Sequence, residues 1–157
     1  MSIFEKPMIR FIFNWIVGSI SAFMLGVILY FVDVALSSIK ILWETKLGSW
    51  LLDVFHFWFF ITLVGLPIGT IGGIILMNKV ILKTSLNRMA IAIGIASSVF
   101  GLILVIWLLP AIGFDISRMM PNFEKMGYNV QIFLLPLTSG LFGTIGYEIA
   151  TMISKTT

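Results

Sequence analysis

The side chains that could do chemistry in this chain are few, and they stand near the ends of long apolar runs. Asp53 and His56 are three apart, so on a helix they share a face. A carboxylate touching an imidazole favours its charged form, which suits proton handling or weak metal binding. Asp33 could join them if the first two runs lie side by side. On a helical wheel Asp53, His56, Phe60, Pro67, Thr70 and Asn78 fall on one broad side. Asp33, Asp53, His56 and Thr70 thus outline a candidate path for a proton or solute. At the other end of the runs, Glu148 has Arg10, Lys79 and Arg88 as candidate partners, with Asn14 also in reach.

Each of these groups has a plainer reading. Asp33 and Asp53 could reach interfacial water, His56 could bond a backbone carbonyl, and Glu148 could be held by Lys155 or by water. One His and a few carboxylates without fixed spacing make no metal motif. The chain has no Cys, which excludes disulfides and thiolate chemistry. It contains no G-x-x-x-x-G-K, H-E-x-x-H or G-x-S-x-G, and no second base or nucleophile stands near His56. No enzyme and no cofactor is expected.

The elements that must position these residues follow from composition. Of 157 residues, 59% are hydrophobic and only 11% charged. Soluble domains carry about 25% charged residues. Mean hydropathy is +1.10. The expected fold is an all-α membrane protein, one integral domain with four transmembrane helices in a compact bundle. The spans are read at about 11–36, 50–77, 88–109 and 130–153. A short basic head and the run after it resemble a signal peptide, but the run continues to Val32, so an uncleaved first span is expected. Residues 37–49 read either as an interfacial segment with Trp43 at headgroup level or as a prolongation of the first helix into water. Pro67 should kink the second span.

Basic residues set the orientation. Lys6, Arg10, Lys79, Lys83, Arg88 and Lys155 lie on one side, six against the four of Lys40, Lys46, Arg118 and Lys125. Both termini are therefore expected to be cytoplasmic, in a bacterial plasma membrane. Tyr30, Trp43, Trp50, Trp107 and Tyr128 would form the outer aromatic girdle, Trp15 and Tyr147 the inner one. The net charge of +3 is read as serving orientation and anionic lipid, at Lys79, Lys83 and Arg88, rather than nucleic acid.

Small residues recur four apart in every span: Gly18, Ala22 and Gly26; Gly65, Gly69 and Gly73; Ala90, Gly94 and Ser98; Ser139 and Gly143. Gly101, Gly140 and Gly146 add to these rows. Such seams let helix backbones approach closely, which is how helices associate where no hydrophobic force drives them. Gly65, Gly69 and Gly72 are expected to form the seam of the second span, with Pro67 and Thr70 facing away from it. Gly69-Thr70-Ile71-Gly72 recurs as Gly143-Thr144-Ile145-Gly146, and Gly26-Val27-Ile28-Leu29 resembles Gly101-Leu102-Ile103-Leu104, at offsets of 74 and 75. The near-match suggests two duplicated hairpins.

Many seams and few reactive groups point to a non-enzymatic accessory, scaffold or regulatory subunit acting through helix contacts, with itself or with a membrane-protein partner. The competing expectation is a small oligomeric transporter or channel that uses the polar face of the second span.

Overall fold

The computed structural model describes residues 7–38, 61–81, 87–108 and 123–156. Among them the chain is all helix, with no strand. Helix α1 is Pro7–Ser37, α2 is Leu66–Leu76, α3 is Arg88–Ile103 and α4 is Phe123–Thr156. Wider π turns precede α2 (Ile61–Gly65), follow it (Met77–Ile81) and extend α3 (Leu104–Leu108). Each helical stretch includes a segment long and apolar enough to cross a membrane: Pro7–Val32, Thr62–Val80, Arg88–Ile106 and Phe133–Ser154. Asp53, His56, Trp50, Lys83 and the interfacial segment from residue 39 onward lie outside the described residues.

Local chemistry sets several ends. Pro7 opens α1, where a missing N–H is harmless and the fixed φ suits a helix. Asn87 caps α3: its backbone is extended and its side chain accepts from the N–H groups of Met89 at 2.9 Å and Ala90 at 3.4 Å. Pro67 lies in the first turn of α2, directly after a π turn. The ladder is already altered there, so the missing N–H interrupts least. Helix α4 is longer than expected; it begins at Phe123 and carries Pro136 inside it.

The helices run alternately up and down. Arg10, Asn78, Arg88 and Glu148 all mark one end, here called the basic end. Helix α1 packs on α2 and α4, and α3 packs on α4 and α2. Helices α2 and α4 also meet, so α1 and α3 occupy opposite flanks. Phe23 of α1 stacks on Phe133 of α4, with ring centroids 5.5 Å apart, away from the basic end.

Glycine makes these contacts close. A Cβ on Gly69 would lie 2.7 Å from the Ala22 Cα, and one on Gly73 would lie 2.7 Å from the Val17 carbonyl oxygen. Between α3 and α4, a Cβ on Gly94 would lie 3.3 Å from the Gly143 carbonyl oxygen. Gly18 faces Thr70, Gly101 faces Phe142, Gly140 faces Ser19, and Gly146 faces Ser97. Gly65 is buried and Gly26 half-buried. These seams are spent inside the bundle.

The expected seam of the second span needs correction at one glycine. Gly72 is exposed with nothing near it, and Gly73 takes the place beside α1. Pro67 and Thr70, expected on the side away from that seam, are both buried as well. The wheel explains this. Gly72 is about 160° from Thr70, whereas Gly69 and Gly73 flank the side between Thr70 and α1. Helix α2 is packed over more than half its circumference, so a two-sided division of the wheel was too coarse. The near-repeat is also unequal: Thr70 and Thr144 are both buried, but Gly72 is exposed where Gly146 is buried. Tyr147 is not an interfacial aromatic. It is 3% exposed and packs with Ile71, Ile74, Ala90 and Ala150.

These contacts predict opposite outcomes for two neighbouring glycines. Gly69→Val must push α1 off α2 and should cost about 1–3 kcal/mol or more. Gly72→Ala meets open space and should be neutral or stabilising by up to about 1 kcal/mol. Unfolding followed by circular dichroism in mild detergent distinguishes them, and equal losses would contradict this packing.

Candidate functional site

Two interior places hold the polar side chains that bond across helices. The first is at the basic end. Arg10 and Asn14 are four apart on α1 and so share a face. Both reach Glu148 of α4. The Arg10 guanidinium grips the carboxylate in two-pronged fashion, with Nε donating to Oε1 at 3.1 Å and a terminal nitrogen donating to Oε2. Asn14 Nδ2 donates to the same Oε1 at 2.8 Å. From the π turn after α2, Asn78 Nδ2 donates to Asn14 Oδ1 at 3.1 Å and to the Ile74 carbonyl at 2.8 Å. The second bond helps to satisfy a carbonyl where the regular ladder widens.

Burial makes this network consequential. Asn14, Asn78 and Glu148 are all 4% exposed or less. An unpaired carboxylate there would cost several kcal/mol. Three N–H donors and one opposite charge offset that cost, and they bind three elements together: α1, the end of α2 and α4.

The second place is the middle of the bundle. Thr70 Oγ1 and Ser139 Oγ lie 2.7 Å apart, and Ser98 Oγ and Ser139 Oγ 2.6 Å apart. One hydroxyl of α4 thus joins α2 to α3. Ser19 of α1 lies against Gly140, beside Ser139. Between the two places, Thr144 is fully buried one turn from Glu148 on α4. Among the described residues, Ser19 Oγ and Thr144 Oγ1 are buried hydroxyls without a hydrogen-bond partner. One turn beyond the central hydroxyls, away from the basic end, an apolar layer crosses the bundle. Ala22, Leu66, Leu102 and Leu135 form a buried apolar cluster there. The interior is polar from Glu148 to mid-bundle, then apolar for one turn, with Thr62 buried beyond it.

The sequence-derived candidates are therefore distributed unevenly. Arg10, Asn14 and Glu148 come together. Arg88 stands exposed at the first turn of α3 and is not a partner of Glu148. Lys79 is exposed as well. Thr70 is in the core, bonded to Ser139 rather than lining an outer path. Asp33 is within α1; Asp53 and His56 lie outside the described residues. No group of three or more metal-ligating residues occurs among the described residues. Sequence reasoning took Ser98 and Ser139 as spacers only. Their hydroxyls were the available signal, since small residues in an apolar seam need not carry one. No protein family, curated protein or solved structure matches this chain.

Removing one partner of the buried pair should do more harm than removing both. Arg10→Ala should destabilise the bundle by about 3 kcal/mol, towards the low end for buried pairs because Arg10 is partly exposed. Replacing Arg10 and Glu148 together by Met should recover most of that loss. Ser139→Ala should cost about 1 kcal/mol, typical of interhelical hydrogen bonds in such bundles. Denaturant unfolding of purified protein ranks the variants. A double variant worse than Arg10→Ala would contradict the account.

Proposed function

We propose that this chain is an integral membrane protein of four spans that acts without chemistry of its own. It is a subunit that stabilises or regulates a membrane assembly through helix contacts, with copies of itself or with another membrane protein. One observation carries the reading. The outward pole of α3 holds Ala92 and Ala96, four apart, exposed and unused by the bundle. Large exposed side chains flank them: Met89, Phe100 and Ile103. Inside the bundle, pairs of small residues with that spacing are where helix backbones meet. A remaining pair on the outside offers another helix the same approach. Helix α3 is a flanking helix, so this face is open.

The membrane placement rests on the four apolar segments and on an apolar exterior. Helix α1 alone exposes Ile12, Phe13, Ile16, Ile20, Met24, Ile28 and Phe31. The excess of Lys and Arg at the basic end supports our reading that it is cytoplasmic, with both termini there, in a bacterial plasma membrane. Lys79 and Arg88, both exposed, stand ready for anionic headgroups together with Lys83. The competing proposal, a solute path along the second span, keeps Thr70 as its described member. That hydroxyl is tied to Ser139, which favours the subunit reading.

The absence of cysteine makes the test clean. Ala92→Cys and Ala96→Cys, each alone, should crosslink in native membranes to a second copy or to one defined partner. Ile20→Cys on α1 should not. Ala96→Leu should abolish the crosslink from Ala92→Cys and reduce the size of the solubilised assembly. If neither α3 position crosslinks and Ala96→Leu leaves the assembly unchanged, the reading is wrong.

A further inference from the structure

The Arg10–Glu148 pair is unequal: the Arg10 side chain is 21% exposed and that of Glu148 6%. The carboxylate is fixed inside the bundle. The guanidinium stands in the first turns of α1, where a long flexible stem can carry its charge outward to the aqueous end. Behind the carboxylate, one turn further in on the same side of α4, Thr144 offers a fully buried hydroxyl without a partner. A threonine in a helix readily donates back to the carbonyl four residues before it. Thr151 does so in the same helix, to Tyr147 at 2.7 Å. Thr144 does not, and its Oγ1 remains without a partner one turn inward of Glu148 along α4.

We propose that Glu148, backed by Thr144, is a binding site for a proton or another small hard monovalent cation, and that Arg10 is the counter-cation the site carries when empty. The carboxylate is neutralised by one cation at a time. When a proton binds, the carboxylate becomes a carboxylic acid. Its O–H donates to Thr144 Oγ1, and Asn14 Nδ2 continues to donate to the other oxygen. The Arg10 charge moves outward, towards water and, in the membrane placement proposed above, lipid phosphate. A sodium ion would use the same oxygens without the new O–H bond. Access is one-sided, because Leu66, Leu102, Leu135 and Ala22 close the interior beyond the central hydroxyls.

The groups that face Glu148 support the exchange. Helix α1 contributes Arg10 and Asn14, and the π turn after α2 contributes Asn78, through Asn14. Lys79 and Arg88, the nearby cations of α2 and α3, are exposed. On α4 the neighbour is Tyr147, an uncharged side chain in the apolar cluster. Arg10 is thus the one positive charge in contact with the carboxylate among the described residues, and its departure leaves room for one cation.

Infrared difference spectra of the full chain in lipid nanodiscs test the proposal. Acidification should reversibly produce a carboxylic C=O band that moves with 13C-glutamate labelling and is missing in Glu148→Gln. If Glu148→Gln does not assemble, a chain with Glu5, Glu44 and Glu124 replaced by Gln assigns the band instead. Thr144→Val should shift the band, since it removes the partner of the acid. At constant pH, sodium in place of choline should diminish the band if sodium shares the site and leave it unchanged if the proton alone binds; both results support the site. Two outcomes overturn it: no Glu148 band before the helical signal is lost, or a band that Thr144→Val does not shift.

Discussion

A carboxylate inside an apolar helix bundle needs a positive partner and a full set of donors, and this one requirement organises the basic end. Glu148 comes from the end of α4, Arg10 and Asn14 from the start of α1, and Asn78 from the turn that ends α2. The chain must bring its two ends together before the carboxylate is satisfied. Register follows from that. Shifting α1 by one turn against α4 would take Arg10 off the carboxylate and Ser19 off Gly140. A directional, charge-assisted contact specifies alignment in a way that interchangeable Ile and Leu side chains do not.

The glycine seams do a different kind of work. They bring backbones within contact distance so that many weak dispersion contacts add up, and they permit the short hydroxyl bonds at mid-bundle. Gly143 is the clearest case. The Thr70 methyl lies 2.7 Å from where a Cβ on Gly143 would be, and Thr70 can then reach Ser139 of the same helix. Close packing and hydrogen bonding are one arrangement here. The apolar cluster of Ala22, Leu66, Leu102 and Leu135 ends the polar region without any special device. Each of these residues is one turn beyond Gly18, Thr70, Ser98 and Ser139, respectively, and none carries a polar atom on its side chain.

The division between interior and exterior bears on function. Inside the bundle Arg10, Asn14, Asn78 and Glu148 form one polar network, and Thr70, Ser98 and Ser139 another. The exterior of α1 and α3 is apolar, with small residues at the pole of α3. A molecule built this way meets its surroundings mainly through shape and apolar contact. Among the described residues the buried carboxylate is that of Glu148, and it is held by a partly exposed partner.

Much of the fold was legible in the sequence, because four long apolar runs with few charges leave the backbone little choice but helix. The helix start at Arg88 was also legible, and Asn87 before it shows why: a capping side chain acts on the next three residues alone. What depended on tertiary structure was which face of each helix turns inward. A four-residue repeat defines a stripe but not its neighbour. The wheel therefore puts Gly72 in the seam with Gly69, whereas α1 lies over Gly69 and Gly73. The same holds for Glu148, whose candidate cations were equal in sequence. The alternating course of the helices put α1 beside α4 and left Arg88 on the outside, so Arg10 became the partner. Sequence determined which groups needed burial or a partner, since that is a property of each side chain. Tertiary structure decided the pairings, since they depend on where helices cross.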